Sequence, residues 1–178
     1  MMKNIIIFID YLKEKDYENK NEKFSITNYC ETDKRKLRFI KEISEDPLVR
    51  HFVSNNMDEW LEDSIDTEKL LVGPAYIVAS DRKLVGFIRC AFLDTNGILN
   101  LHYGVHPDYR KMHYGTKILE ETSEYLFRSN MPIKNIELYI KEINKGSIKC
   151  AINAGFTLDR SFPSRIDNCK VNVYSKKK

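Results

Sequence analysis

Residues 101–116 read Leu101-His102-Tyr103-Gly104-Val105-His106-Pro107-Asp108-Tyr109-Arg110-Lys111-Met112-His113-Tyr114-Gly115-Thr116. A β-rich run closes on a Pro-Asp turn, and a basic loop then opens onto a helical stretch, 114–129. There Ile118, Leu119, Thr122, Tyr125 and Leu126 form one stripe, with Lys117, Glu120, Glu121, Glu124 and Arg128 outside it. The unit is strand–turn–helix. Free N–H groups and the positive dipole end at such a helix start attract an anion. Arg110 and Lys111 add two charges, and Gly115 admits a close backbone approach. The same residues also suit a plain basic turn that caps a helix.

Upstream, 75–80 and 84–93 are β-rich runs joined by Asp81-Arg82-Lys83, and 98–105 is the third strand of that meander. Before it, 3–12 is a β-rich apolar run, 13–23 is polar enough for a loop, and 24–30 alternates Phe24, Ile26, Asn28 and Cys30 as a strand. Thr32-Asp33 caps a helix bearing Leu37, Ile40 and Ile43 on one face and ending before Pro47. Two short helical pieces follow, one with Leu48, Val49, Phe52 and Val53, the other with Met57, Trp60, Leu61 and Ile65. Downstream, Pro132 stops the long helix. A strand at 136–140, a helix at 147–154 ending at Gly155, and strands at 156–160 and 170–174 complete an α/β (α+β) chain with a mixed sheet.

The chain has 178 residues, the length of one domain. Hydrophobic residues at 42% and charged residues at 31% give an ordinary globular balance and exclude a disordered or fibrous class. The net charge of +3 is too small to argue for nucleic acid, and Lys176-Lys177-Lys178 reads as a solvated tail. The apolar run Ile5-Ile6-Ile7-Phe8-Ile9 stops at Asp10, short of a signal core or a membrane span. Cys30, Cys90, Cys150 and Cys169 form no C-x-x-C pair and no zinc spacing with histidine. They read as reduced thiols in the cytoplasm, with no metal site.

A second segment carries further information: Asn144-Lys145-Gly146-Ser147-Ile148-Lys149-Cys150-Ala151-Ile152-Asn153-Ala154-Gly155-Phe156. With Arg110 and Gly115 on the first and last positions of Arg/Gln-x-x-Gly-x-Gly/Ala, and Ser147 and Gly155-Phe156 in register with Asn144, the chain resembles the GNAT N-acetyltransferases. Asn-x-x-Ser and the Asp-Pro-Leu-Val stretch at 46–49 are similar to the branch of ribosomal-protein N-terminal acetyltransferases. The resemblance implies a GNAT-like domain over 24–178, with 1–23 an extension adding a strand and a loop. It implies a mixed, mostly antiparallel twisted sheet of six or seven strands with about four helices.

It also implies acetyl-CoA as cosubstrate, held by Tyr103, Gly104, Val105, Arg110, Lys111, Met112, His113, Tyr114, Gly115 and Thr116 together with Asn144 and Ser147. His113 stands in place of the loop's first glycine, where it either crowds a pyrophosphate or donates to it. Ala151 stands where many members carry a tyrosine acid. Ser147, with Asn144 beside it, is then the donor nearest the leaving sulfur, or alternatively only caps its helix. No side chain is an obvious base. His102, Glu137, Tyr139 and Glu142 flank the acyl site and can take a proton directly or through water. Asn55, Asn56, Asp58, Glu59 and Trp60 fall where the family's acceptor flap lies, near the acidic Glu62, Asp63 and Asp66.

The activity implied is transfer of acetyl to a primary amine by direct attack in a ternary complex, the amine being a protein N-terminus or a small molecule such as a polyamine, aminoglycoside or amino acid. A non-catalytic acyl-CoA-binding or partner-binding domain is the alternative. No nucleic acid or membrane is expected as partner, and the chain is expected to be a monomer or homodimer.

Overall fold

The structure, a computed structural model, describes residues 17–18, 24–28, 34–52, 75–80, 83–164 and 167–178. Strands β1 (Tyr17–Glu18), β2 (Phe24–Asn28), β3 (Ala75–Ser80), β4 (Lys83–Leu93), β5 (Ile98–Val105), β6 (Asn135–Lys141), β7 (Thr157–Pro163) and β8 (Lys170–Lys177) form one sheet. The helices are α1 (Lys34–Glu45), α2 (Pro47–Phe52), α3 (Tyr114–Arg128) and α4 (Lys145–Asn153), and a 3-10 turn spans Pro107–Tyr109.

The strand order is β1-β2-β3-β4-β5-β6-β8-β7, and every neighbouring pair is antiparallel except β5–β6. That one parallel pair follows from α3, whose length carries the chain back across the sheet. Ile118, Leu119 and Leu126 of α3 and Ala151 and Ala154 of α4 pack on Val85, Ile88, Leu99, Leu101, Ile136, Leu138 and Ile140. Phe39 of α1 lies over the opposite face, stacked on His106 with ring centroids 5.1 Å apart, and Ile43 one turn on is fully buried. The sheet is therefore covered on both sides.

Among the described residues the sheet has eight strands: seven of them, β2–β8, lie within 24–178, as expected, and β1 comes from the N-terminal extension. Tyr17–Glu18, within the stretch read as a loop, pairs with Ser25 and Ile26. The C-terminal lysines are not a solvated tail either. β8 runs to Lys177, the Lys178 N–H donates to the Lys134 carbonyl, and Lys176 Nζ donates to Ser123 Oγ and the Ala154 carbonyl, both at 2.9 Å. A cation is favoured there because it meets the negative end of α4 and lies over the Phe156 ring, 5.7 Å from its centroid. The strand expected at 3–12, the Thr32-Asp33 cap, Cys30 and the flap residues 55–66 lie outside the described residues, as do the side chains of Leu37 and Ile40. Among the described residues no helix is long and apolar enough to cross a membrane.

Candidate active site

Pairing between β5 and β6 holds for Ile98↔Asn135, Leu99↔Ile136 and Asn100↔Glu137 and then stops. Beyond Asn100 the strands diverge and leave a gap. The direction of each backbone group along β5 follows from its bonds. The Gly97 carbonyl accepts from Asn135 N–H on the β6 side, the Ile98 carbonyl accepts from Asp94 N–H on the β4 side, and His106 N–H donates to the Val85 carbonyl. Strand alternation then turns the amides of Tyr103 and Val105 to the gap and that of Gly104 to β4. Of the amides of Tyr103, Gly104 and Val105, two therefore face the gap. Gly104 serves packing instead, because a Cβ there would lie 2.3 Å from Phe87 Cε1.

The gap leads to the start of α3. Lys111 (φ 62°) and His113 (φ 63°) both take the left-handed conformation. That explains why glycine suits position 113, and each residue bears a cost of roughly 1 kcal/mol for its Cβ. His113 is the N-cap residue of α3, makes no side-chain cap bond and is exposed, as are Lys111 and Met112. The first-turn N–H groups of Tyr114, Gly115 and Thr116, beyond reach of any intrahelical carbonyl, open on the same loop.

Two expected cofactor residues have other work. Arg110 Nη2 donates to Asp46 Oδ1 at 2.8 Å, so its guanidinium is engaged at the α1–α2 corner. Gly115 is buried against α4, where a Cβ would stand 2.8 Å from Cys150 Sγ and 3.6 Å from Tyr103 and Val105 side-chain carbons. Its small size fits the two helices together. Gly115→Val should therefore cost about 1–3 kcal/mol of stability by overpacking. Cys150→Ala in that background should restore part of it, as read by thermal midpoints.

At α4, Asn144 is the cap: its Oδ1 accepts from Ser147 N–H at 3.1 Å. Ser147 thus sits inside the first turn and is not itself the cap. The Tyr103 hydroxyl donates to the Ser147 carbonyl at 3.3 Å. Burial, and then the neighbouring Cys150, hold that phenol well above its ordinary pKa. Ala151 is fully buried in the core, so no side chain from that position reaches the gap.

The opposite face of the sheet carries the other candidates. Leu99, Leu101 and Tyr103 face α3 and α4, so His102 between them faces the α1 side, opposite Arg89 in the ladder. His102 is exposed, yet the protein around it, and then the Arg89 charge, push its pKa down to about 4. Its imidazole is neutral at neutral pH. Glu137 is not an open base. It is 2% exposed, and Arg160 grips it with Nη1 on Oε1 and Nη2 on Oε2, both 2.8 Å. The Tyr139 hydroxyl donates to Glu137 Oε2 at 2.9 Å and accepts from Arg160, so its proton is already committed. The two residues do share a face, as strand alternation requires. Burial, then Glu137, raise the Tyr139 pKa. Glu142, at the end of β6, is exposed.

Sequence reading missed Asp46 and Arg160. Asp46 gave a signal only as part of the Asp-Pro-Leu-Val stretch at 46–49, and nothing local ties either residue to its partner.

With this geometry in view, the model of the acetyltransferase (GNAT) family matches residues 37–156. The chain belongs to the GNAT acetyltransferase family. Solved structures share the architecture of this GNAT domain. RimL, a ribosomal-protein alpha-N-acetyltransferase in complex with coenzyme A, is 11% identical with a TM-score of 0.72, over 92% of this chain and 98% of that one. Aminoglycoside acetyltransferase AAC(6')-Ib, in complex with coenzyme A and kanamycin, is 14% identical with a TM-score of 0.71, over 87% and 95%. Spermidine N-acetyltransferase from Vibrio cholerae, in complex with CoA and spermine, is 11% identical with a TM-score of 0.70, over 87% and 95%. At these identities the likeness is one of fold. A search of curated proteins finds no match.

Proposed function

We propose that this GNAT domain is an acetyl-CoA-dependent N-acetyltransferase that moves acetyl to a primary amine by direct attack in a ternary complex. The observation that carries the reading is the parting of β5 from β6 beyond Asn100, a gap lined by backbone amides and ending at the α3 N-terminus. The residues present suit the cosubstrate. Amides at the start of α3, with Lys111 beside them, suit a pyrophosphate. The Tyr103 and Val105 amides suit the oxygen of an acyl carbonyl as it gains charge.

On this reading the acceptor enters from the α1 face, since α3 and α4 cover the other. His102, neutral at pH 7, takes the proton released by the attacking amine, directly or through water. Ser147 Oγ donates to the departing sulfur, and Asn144 holds the turn that presents it. A free α-amine, at pKa ~7.7–8.0 against ~10.4 for lysine, needs far less help to become neutral. A protein N-terminus is accordingly the acceptor we favour.

Thiol release from acetyl-CoA tests this, with a peptide N-terminus, a polyamine, an aminoglycoside and an amino acid as acceptors. Release that depends on the amine, and is fastest with the peptide, is expected. Binding of CoA with no transfer to any of them would favour the non-catalytic acyl-CoA-binding domain.

A further inference from the structure

The loop between β5 and α3 holds two non-glycine residues in left-handed backbone, Lys111 and His113, and such a conformation persists only where surrounding contacts impose it. The residues leading into that segment, His106 and Arg110, are held by α1 and the α1–α2 corner. His106, at the loop's start, stacks on Phe39 at an interplanar angle of 16°, and its Nε2 lies 3.5 Å from Glu42 Oε2. Its Nδ1 accepts from Asp108 N–H. Arg110, at the far side of the 3-10 turn, reaches Asp46. Asp46 is well set to hold it. Its Oδ1 also accepts from Leu48 and Val49 N–H at 3.0 and 3.1 Å, capping α2 with Pro47 at the first position. The carboxylate's side chain is only 12% exposed. Partial burial opposes its ionisation, but Arg110 and the two amides outweigh that and keep its pKa below the ordinary value.

We propose that Asp46 is a positioning residue for the acyl-CoA loop, and that Arg110 serves that loop as a brace to Asp46 rather than as a ligand of phosphate. The inference rests on the reading that the loop receives the cosubstrate's pyrophosphate. The two roles for Arg110 differ in sign at Asp46. If the guanidinium bound phosphate, Asp46 would compete for it, and removing the carboxylate charge would tighten binding. As a brace, the pair orders the loop before the ligand arrives, and loss of either partner weakens binding alike.

Calorimetric titration of CoA into the wild type, Asp46→Asn, Arg110→Gln and the double variant separates these. Asparagine still accepts at a helix start, so Asp46→Asn keeps the α2 cap and removes only the ion pair. Each single change should weaken CoA binding about five- to tenfold, and the double should be no weaker than either single within error. In steady state the Asp46→Asn loss should fall on the KM for acetyl-CoA and leave kcat within about twofold. Unchanged or tighter binding by Asp46→Asn, or additive losses in the double, would overturn the brace while leaving the loop as the CoA site. A wild type that binds no CoA would overturn the functional reading, and the brace with it. Should Asp46→Asn lower the thermal midpoint, Asp46→Ser, which also caps without charge, carries the same expectation and the same overturning outcomes.

Discussion

His102→Ala is expected to lower kcat/KM for amine acetylation about 100-fold, the low end for a positioned general base, because a base of pKa about 4 is a weak proton acceptor. The wild-type pH profile tests whether the base is a histidine with an ordinary pKa. An ordinary histidine gains its proton near pH ~6.5, whereas the protein around His102 and the Arg89 charge press its pKa down to about 4. The wild type should therefore show no histidine limb between pH 6 and 7; its rate should follow the amine's own deprotonation. Stability is linked to the same group. With the folded pKa below the unfolded one, the unfolded chain binds more protons between ~6.5 and 4. The neutral imidazole thus costs no stability above ~6.5, and stability falls as the pH drops from there towards 4. Urea midpoints across that range should fall less steeply in His102→Ala. Wild-type turnover in that variant would remove His102 from the chemistry.

The sequence revealed the parts of this site that are encoded locally. The α3 stripe, the Pro132 stop and the spacing from Asn144 to Phe156 are patterns of 3.6 periodicity and capping within one element, and the structure places α3 and α4 there. Strand alternation correctly put Glu137 and Tyr139 on one face. Nothing local, however, says which partner a charged side chain will choose. Arg110 reads as a phosphate ligand because its loop is basic, a reading that could not show its partner Asp46, 64 residues away. Glu137 looked like a base because it lies on a cleft strand, yet Arg160 arrives from β7, two strands over in the sheet. Lys176 read as tail because a lysine run is usually solvated, and only the packing of α4 against β8 gives it a carbonyl to cap. The extra strand β1 is similar: two residues with no pattern of their own become a strand because β2 offers an edge.

Arg160→Met should be the most damaging single change to stability at the site. Glu137 is buried, and the guanidinium supplies two of three hydrogen bonds to its oxygens, Tyr139 supplying the other. Removing one partner of a buried ion pair strands the other charge, typically at ~3–5 kcal/mol. Here the Arg160 side chain is 47% exposed, so water can enter beside the carboxylate. The expected loss is accordingly lower, about 2–4 kcal/mol. Asp159 also bonds Arg160, but it is half exposed and stays hydrated when the arginine goes. The charge argument makes a second, opposite prediction: Glu137→Gln in the Arg160→Met background should recover much of the loss, since a neutral amide is far cheaper to bury than an unpaired carboxylate. Urea unfolding of the wild type, the single and the double variant measures both effects. A single variant within about 0.5 kcal/mol of wild type would show that water alone satisfies Glu137. A double variant no more stable than the single would show instead that the stranded charge of Glu137 is not the source of the loss, since methionine keeps the unbranched stem that packs β7 against the sheet.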